Sequence, residues 1–203
     1  DVMVFHRNIE ENLCRIHESL LDGTWDPKPF NSFERITEGK RRQIEAPVFA
    51  DRVVHHAIVR VLEPIFDRKF IFDSYSCRKG KGTHAAADRA EQFIRRAGAQ
   101  WECPYVLKCD VSKFFPSIDH GILWDIMGRT IRENSVIDLI KRAAIAPGNV
   151  SGKGLPIGAL TSQLLANVYM NELDHFAKTA RDAVFTSGTP TILFSSTAAR
   201  RHC

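Results

Sequence analysis

The chain has 203 residues, 44% of them hydrophobic and 26% charged, with a formal net charge of +4 and a pI near 8.9. That balance excludes a disordered polymer and allows one domain, or one and a fraction, with a sizeable core. The mild positive charge permits nucleic-acid binding without requiring it, no apolar run reaches the length of a membrane span, and the five separated cysteines (Cys14, Cys77, Cys103, Cys109, Cys203) exclude a Cys-x-x-Cys metal knuckle.

Residues 1–21 have the spacing of an amphipathic helix ended by Asp22-Gly23, and 25–30, with Pro27 and Pro29, read as extended or turn structure because proline and its predecessor disfavour helix. Lys40, Arg41 and Arg42 form a first basic run. Over 52–66 apolar residues recur at helical spacing in Val53, Ala57, Val61 and Ile65, which predicts a core-facing stripe. A second basic run, Arg78, Lys79 and Lys81, is interleaved with Gly80 and Gly82 but lacks the Gly-Lys-Ser/Thr ending of a Walker loop. Residues 84–97 predict a helix with Gly98 as its C-cap.

A strand follows over 105–111, whose alternation sets Tyr105, Leu107, Cys109 and Val111 on one face and Lys108 and Asp110 on the other, so the carboxylate projects away from the apolar side. Ile118, Ile122, Leu123, Ile126 and Met127 stripe a further helix. A Gly/Pro turn then leads into a last helix striped by Leu164, Leu165, Val168, Leu173 and Phe176, with Thr161 and Ser162 as candidate caps and Gln163 near its start. His55 and His56 show no metal-ligand spacing and read as core or surface residues. After Lys178 the composition turns to Thr, Ser and Ala without a period of either kind. With Asp1 at its start and no charged leader, the chain reads as an internal fragment of a cytoplasmic protein with free thiols.

The blocks LKCDVSKFFPSIDH and GLPIGALTSQLLANVYMNELDHF resemble motifs A and B of a reverse transcriptase, and EGKRRQIEAPVFADRVVHHAIVRVLEPIFDRKFIFDSYSCRKGKGTHAA resembles the fingers motifs of bacterial retroelement enzymes, including those of group II introns. Where group II intron enzymes read a Gln-Gly pair in motif B, Ile157-Gly158 precede Ser162-Gln163 here, a variant closer to the enzymes of diversity-generating retroelements. The resemblance implies a mixed α/β (α+β) fold, the fingers and incomplete palm of a right-hand polymerase, helix-rich with a small antiparallel sheet. It divides the chain into fingers over 1–100, a partial palm with motifs A and B over 101–178, and an aberrant tail over 179–203.

It further implies copying of RNA into DNA on two Mg2+ ions, with an RNA template, a DNA or RNA primer and deoxynucleoside triphosphates as partners; a protein partner is not indicated. Asp110 would be a catalytic metal ligand, helped by the backbone carbonyl of Val111. Phe115 would be the steric gate that excludes a 2′-hydroxyl, with Phe114 or Phe115 as the packed partner of the pair. Arg42 and Arg78 would contact the triphosphate, and Gly158 and Gln163 would line the nucleotide pocket. The rival readings are a noncatalytic RNA-binding module derived from a polymerase, and an RNA-templated RNA polymerase, against which the aromatic Phe115 argues.

The Tyr-x-Asp-Asp hairpin that the family places shortly after motif B is absent from the sequence. If Gly188, Thr189, Pro190, Thr191 and Ile192 are encoded as GGT ACG CCG ACG ATT, a shifted frame reads TAC GCC GAC GAT, which is Tyr-Ala-Asp-Asp. The expectation is that the tail is a frameshift, and that the chain as written is inactive because its site keeps one carboxylate.

Overall fold

The computed structural model describes residues 2–37, 39–100, 105–179 and 191–196. Among the described residues it is helix-rich, with two two-stranded antiparallel sheets. The chain groups into two compact units, one formed by 1–64 with 115–165 and the other by 65–114 with 166–203. Each is assembled from two separated stretches, a different kind of grouping from the contiguous spans expected above.

The first unit opens with helices α1 (Val2–Arg7) and α2 (Ile9–Leu21), where the sequence predicted one helix. The extended segment after them is tied to helix α3 (Phe49–Asp67) by Asp51, whose buried carboxylate accepts the Lys28 N–H at 2.9 Å. Strands β1 (Asn31–Thr37) and β2 (Lys40–Ala46) form a hairpin that the sequence reading missed, with Gly39 at a φ of 73° in its turn. The core of this unit is Trp25, Ala46, Val54, Ile58, Leu62, Leu123, Met127, Ile140, Leu155 and Leu165.

On α3 the buried row is Val54, Ile58 and Leu62, one residue out of step with the expected Val53, Ala57, Val61 and Ile65. Val61 is 63% exposed and Ile65 41% exposed. Two adjacent apolar stripes run along this helix, and spacing alone does not choose between them; the row with the bulkier Ile58 and Leu62 fills the core.

After α3 and the second unit's insertion come α5 (Phe114–Ser117), α6 (His120–Gly128) and α7 (Asn134–Ala144). Asp119 caps α6 by accepting the Ile122 N–H at 3.2 Å, the local stop that leaves Ile118 outside the helix, and Ile122 is exposed rather than part of the core stripe. Helix α7, absent from the sequence reading, buries Ile137, Ile140, Ala143 and Ala144. Helix α8 (Leu160–Thr179) begins before Thr161 and Ser162, so both lie buried within its first turn instead of capping it.

The second unit takes the end of α3 from Ile65, the loop 68–82, helix α4 (Thr83–Gln100), strand β3 (Tyr105–Asp110), α8 from Ala166, and strand β4 (Thr191–Ser196). Phe66, Phe70, Ile71, Tyr75, Phe93, Ala97, Val168, Met170 and Ala177 form its core, whereas Phe176 is exposed against expectation. Asn167 Nδ2 donates to Ser76 O at 2.7 Å, and His175 Nε2 is bonded to Lys69 O at 2.9 Å, pinning α8 to the loop. Gly98 lies inside α4 and not at its C-cap. Strand β4, drawn from the tail, pairs with β3 so that Asp110 lies opposite Thr191. Cys14, Cys77 and Cys109 are free thiols; Cys103, Cys203 and the tail outside 191–196 lie beyond the described residues.

Candidate active site

Asp110 closes β3 and is exposed beside the half-buried Cys109, in keeping with the alternation read from sequence, while the side chains of Tyr105, Leu107 and Lys108 lie outside the described residues. Val111 leaves the strand, and Lys113, at a φ of 48°, makes a left-handed turn into α5. The two aromatics that follow part company. Phe114, in the second unit, packs its ring against Tyr169 with centroids 6.5 Å apart, while Phe115, in the first, is half-buried and accepts the Leu155 N–H at 3.0 Å through its carbonyl.

In the first unit Arg42, Gly158 and Gln163 attach to one frame. The Glu45 N–H donates to Ile157 O at 2.8 Å, laying the Gly/Pro turn along β2. Gly158 has a φ of 129°, and a Cβ there would meet Ile44 Cγ2 at 2.9 Å and Glu45 O at 3.0 Å, so only glycine fits. Gln163 is exposed in the first turn of α8, behind the buried bond of 2.9 Å between His55 Nδ1 and Thr161 Oγ1. Burial, with His56 adding to it, holds the His55 imidazole down to about 4, so this ring is a neutral structural group.

Arg42 is exposed, and the hairpin register sets Arg35 directly opposite it. Two guanidinium side chains on one face repel, and such a pair is suited to an anion. The sequence reading missed Arg35. The signal that would have found it was Gly39 between two strand-like runs, since a tight turn there fixes the cross-strand partner.

Arg78, in the second unit, stands differently. Its side chain is 10% exposed; Nε donates to Asp67 Oδ1 at 2.7 Å, and Nη1 donates to Ile71 O at 3.0 Å and Ser74 O at 2.8 Å. Beside it Lys81 donates to Phe72 O at 2.7 Å, and Arg89 donates to Asp73 Oδ1 at 2.8 Å. On the facing stretch of α8, Asn171 Oδ1 and Asp174 Oδ1 are buried without a hydrogen-bond partner among the described residues. Burial pushes the Asp174 carboxyl up to about 6, against the pull of His175 and Arg78.

The structure thus sets Asp110, Val111 and Arg78 in one unit and Arg42, Phe115, Gly158 and Gln163 in the other. Among the described residues there is no group of three or more His, Cys, Asp or Glu side chains able to hold a metal, and no helix long and apolar enough to cross a membrane.

Comparison with known proteins adds to this geometry. The family model described as reverse transcriptase (RNA-dependent DNA polymerase) matches residues 27–192. The group II intron-encoded protein LtrA of Lactococcus lactis subsp. cremoris is 29% identical over 175 residues, covering 82% of this chain and 28% of LtrA. Protein YkfC of Escherichia coli K12 is 27% identical over 168 residues, covering 79% of this chain and 44% of its own length. Nuclear intron maturase 1, mitochondrial, of Arabidopsis thaliana is 29% identical over 119 residues, covering 57% and 16%. The chain therefore spans less than half the length of each of these curated relatives. Among solved structures, a chain of a partial Cas6-RT-Cas1–Cas2 complex matches with a TM-score of 0.51 over 92% of this chain and 33% of that one, at 16% identity, a likeness of fold.

Proposed function

We infer the function of this chain from its family: it belongs to the reverse transcriptase (RNA-dependent DNA polymerase) family, with relatives encoded by group II introns. The family binds nucleic acid and uses divalent metal ions. We propose that the chain is part of an enzyme that copies an RNA template by adding deoxynucleotides to the 3′-end of a DNA or RNA primer. The observation that carries this reading is Asp110, an exposed carboxylate where β3 ends and a left-handed turn begins.

The donors there fit magnesium as part of a site. The Asp110 carboxylate and the Val111 carbonyl are hard oxygens, and magnesium binds with few protein ligands beside water and substrate phosphates. Bound there, it would neutralise phosphate charge during attack by the primer hydroxyl. Arg42, with Arg35 opposite, is placed in this reading to bind the triphosphate; Arg78 shares that task or, through its internal bonds, shapes the loop that performs it. Phe115 is assigned the steric gate in this reading. Gly158 and Gln163 line the nucleotide pocket.

The register of β4 supports the frameshift. The two aspartates of the shifted frame draw on the codons of Pro190, Thr191 and Ile192, and Thr191 is the residue opposite Asp110. In this reading the repaired frame brings its carboxylates beside the first one, and the chain as written is inactive. The absent Tyr-x-Asp-Asp is also what favours the rival, a noncatalytic RNA-binding module, whose mark would be salt-dependent RNA binding without deoxynucleotide affinity.

Primer extension on an RNA template with magnesium tests the proposal. The chain as written gives no product. The chain with its frame restored after Lys178 does, and D110N abolishes it. Product from the unaltered chain would overturn the claim of inactivity, and none from the restored chain would overturn the enzymatic reading.

A further inference from the structure

The loop 68–82 buries almost every side chain between Phe70 and Tyr75, but Phe72 is 62% exposed. Its ring is not idle surface. Lys81 Nζ lies 3.7 Å from the ring centroid and 4.7 Å from that of Tyr75, and Arg89 Cζ lies 5.3 Å from the Phe72 centroid and 4.2 Å from that of Phe93. One buried acid organises the group. Asp73, with its side chain 9% exposed, accepts from Arg89 Nε at 2.8 Å and from the Tyr75 hydroxyl at 3.3 Å.

The two cations are held unequally. Arg89 is locked by its ion pair and by the Phe93 ring. Lys81 rests on two rings and one carbonyl at the end of a flexible stem, with its ammonium lowered in pKa chiefly by desolvation. An ammonium over a ring occupies the place a flat π-system would take, and a phosphate would be a stronger partner for it than a ring. Exposed aromatics flanked by cations are how proteins hold unpaired bases, the ring stacking on the base and the cations following the backbone.

We propose that Phe72 is a stacking platform for one unpaired base of single-stranded RNA, with Lys81 swinging from the ring face to the adjoining phosphate while Arg89 stays as fixed support. This rests on the nucleic-acid-binding reading above and adds to it a site that neither the motifs nor the two-metal chemistry requires.

The test is fluorescence anisotropy of the whole chain with a short unstructured RNA across a salt series. F72A weakens binding about ten-fold, F72Y keeps it, and F72L, which retains apolar bulk without a π face, behaves as F72A. K81A lowers the salt slope by about one unit. A fully paired RNA, whose bases are already stacked, shows no dependence on Phe72. The exposed ring predicts unchanged melting for all four variants. If F72A and F72L bind the single strand as the unaltered chain does, or if paired RNA loses equally, the platform is overturned while RNA binding stands. If the unaltered chain binds no RNA at low salt, both readings fall together.

Discussion

Two basic runs that look alike in the sequence have opposite situations in the folded chain. Arg42 stands exposed on a hairpin with Arg35 opposite, whereas the Arg78 guanidinium is turned inward to Asp67 and two carbonyls of its own loop. The difference teaches that a cluster of positive charge says nothing about which of its members faces solvent. A short loop with several inward-facing carbonyls to satisfy takes an arginine for itself; on an exposed ribbon the outward carbonyls of the two edge strands can be satisfied by water instead.

The largest expected effect tests that contrast directly. R78A leaves two loop carbonyls without their donor and takes the partner from the half-exposed Asp67 carboxylate, and should cost about 3 kcal/mol in urea unfolding, while R42A should stay within about 0.5 kcal/mol. Equal losses would erase the distinction. G158A probes the hairpin side by a route free of charge. Its Cβ would overlap Ile44 and the Glu45 carbonyl at a φ of 129°, for an expected loss of about 2 kcal/mol in the same measurement. A neutral result would mean that β2 and the turn are less tightly joined than they stand here.

The smallest effect sharpens the electrostatic side. Asp174 has a folded pKa raised to about 6 from an ordinary 3.8, so its contribution is full below the ordinary value and is lost as pH rises through 6. His55, held down to about 4 from 6.5, works the other way: its contribution is full above the ordinary value and is lost as pH falls. The two slopes oppose each other between pH 4 and 6 and flatten the profile of the unaltered chain. D174N removes one of them, so its stability relative to the unaltered chain should rise between pH 4 and 7 by on the order of 1 kcal/mol. A pH-independent difference would show that Asp174 keeps its charge in the fold.

Much of the fold was legible because it rests on local signals. The strand that ends at Asp110, the helix running through Val54 to Leu62 and the Gly/Pro turn ahead of Gln163 all stand where the sequence set them. What failed were choices that only tertiary packing makes. The buried stripe of α3 is one residue over, and Ile122 and Phe176 look outward. The hairpin went unread because its strands mix charged and apolar residues on both faces and bury little. Of the candidate site, the motif residues could be named from the sequence, but the cross-strand partnership of Arg35 needed a register, and the Phe72 cluster needed side chains that meet across the loop and α4.

The close fit at Gly158 has a further consequence for how this protein can change over time. There is room at that position for a hydrogen atom and nothing larger, so variation beside the turn must come from the opposing wall instead. Trimming Ile44 to alanine removes the methyl at 2.9 Å but not the main-chain oxygen at 3.0 Å or the left-handed backbone, so I44A would rescue G158A only in part. The two sites are therefore coupled, and a substitution at either is to be judged in the background of the other.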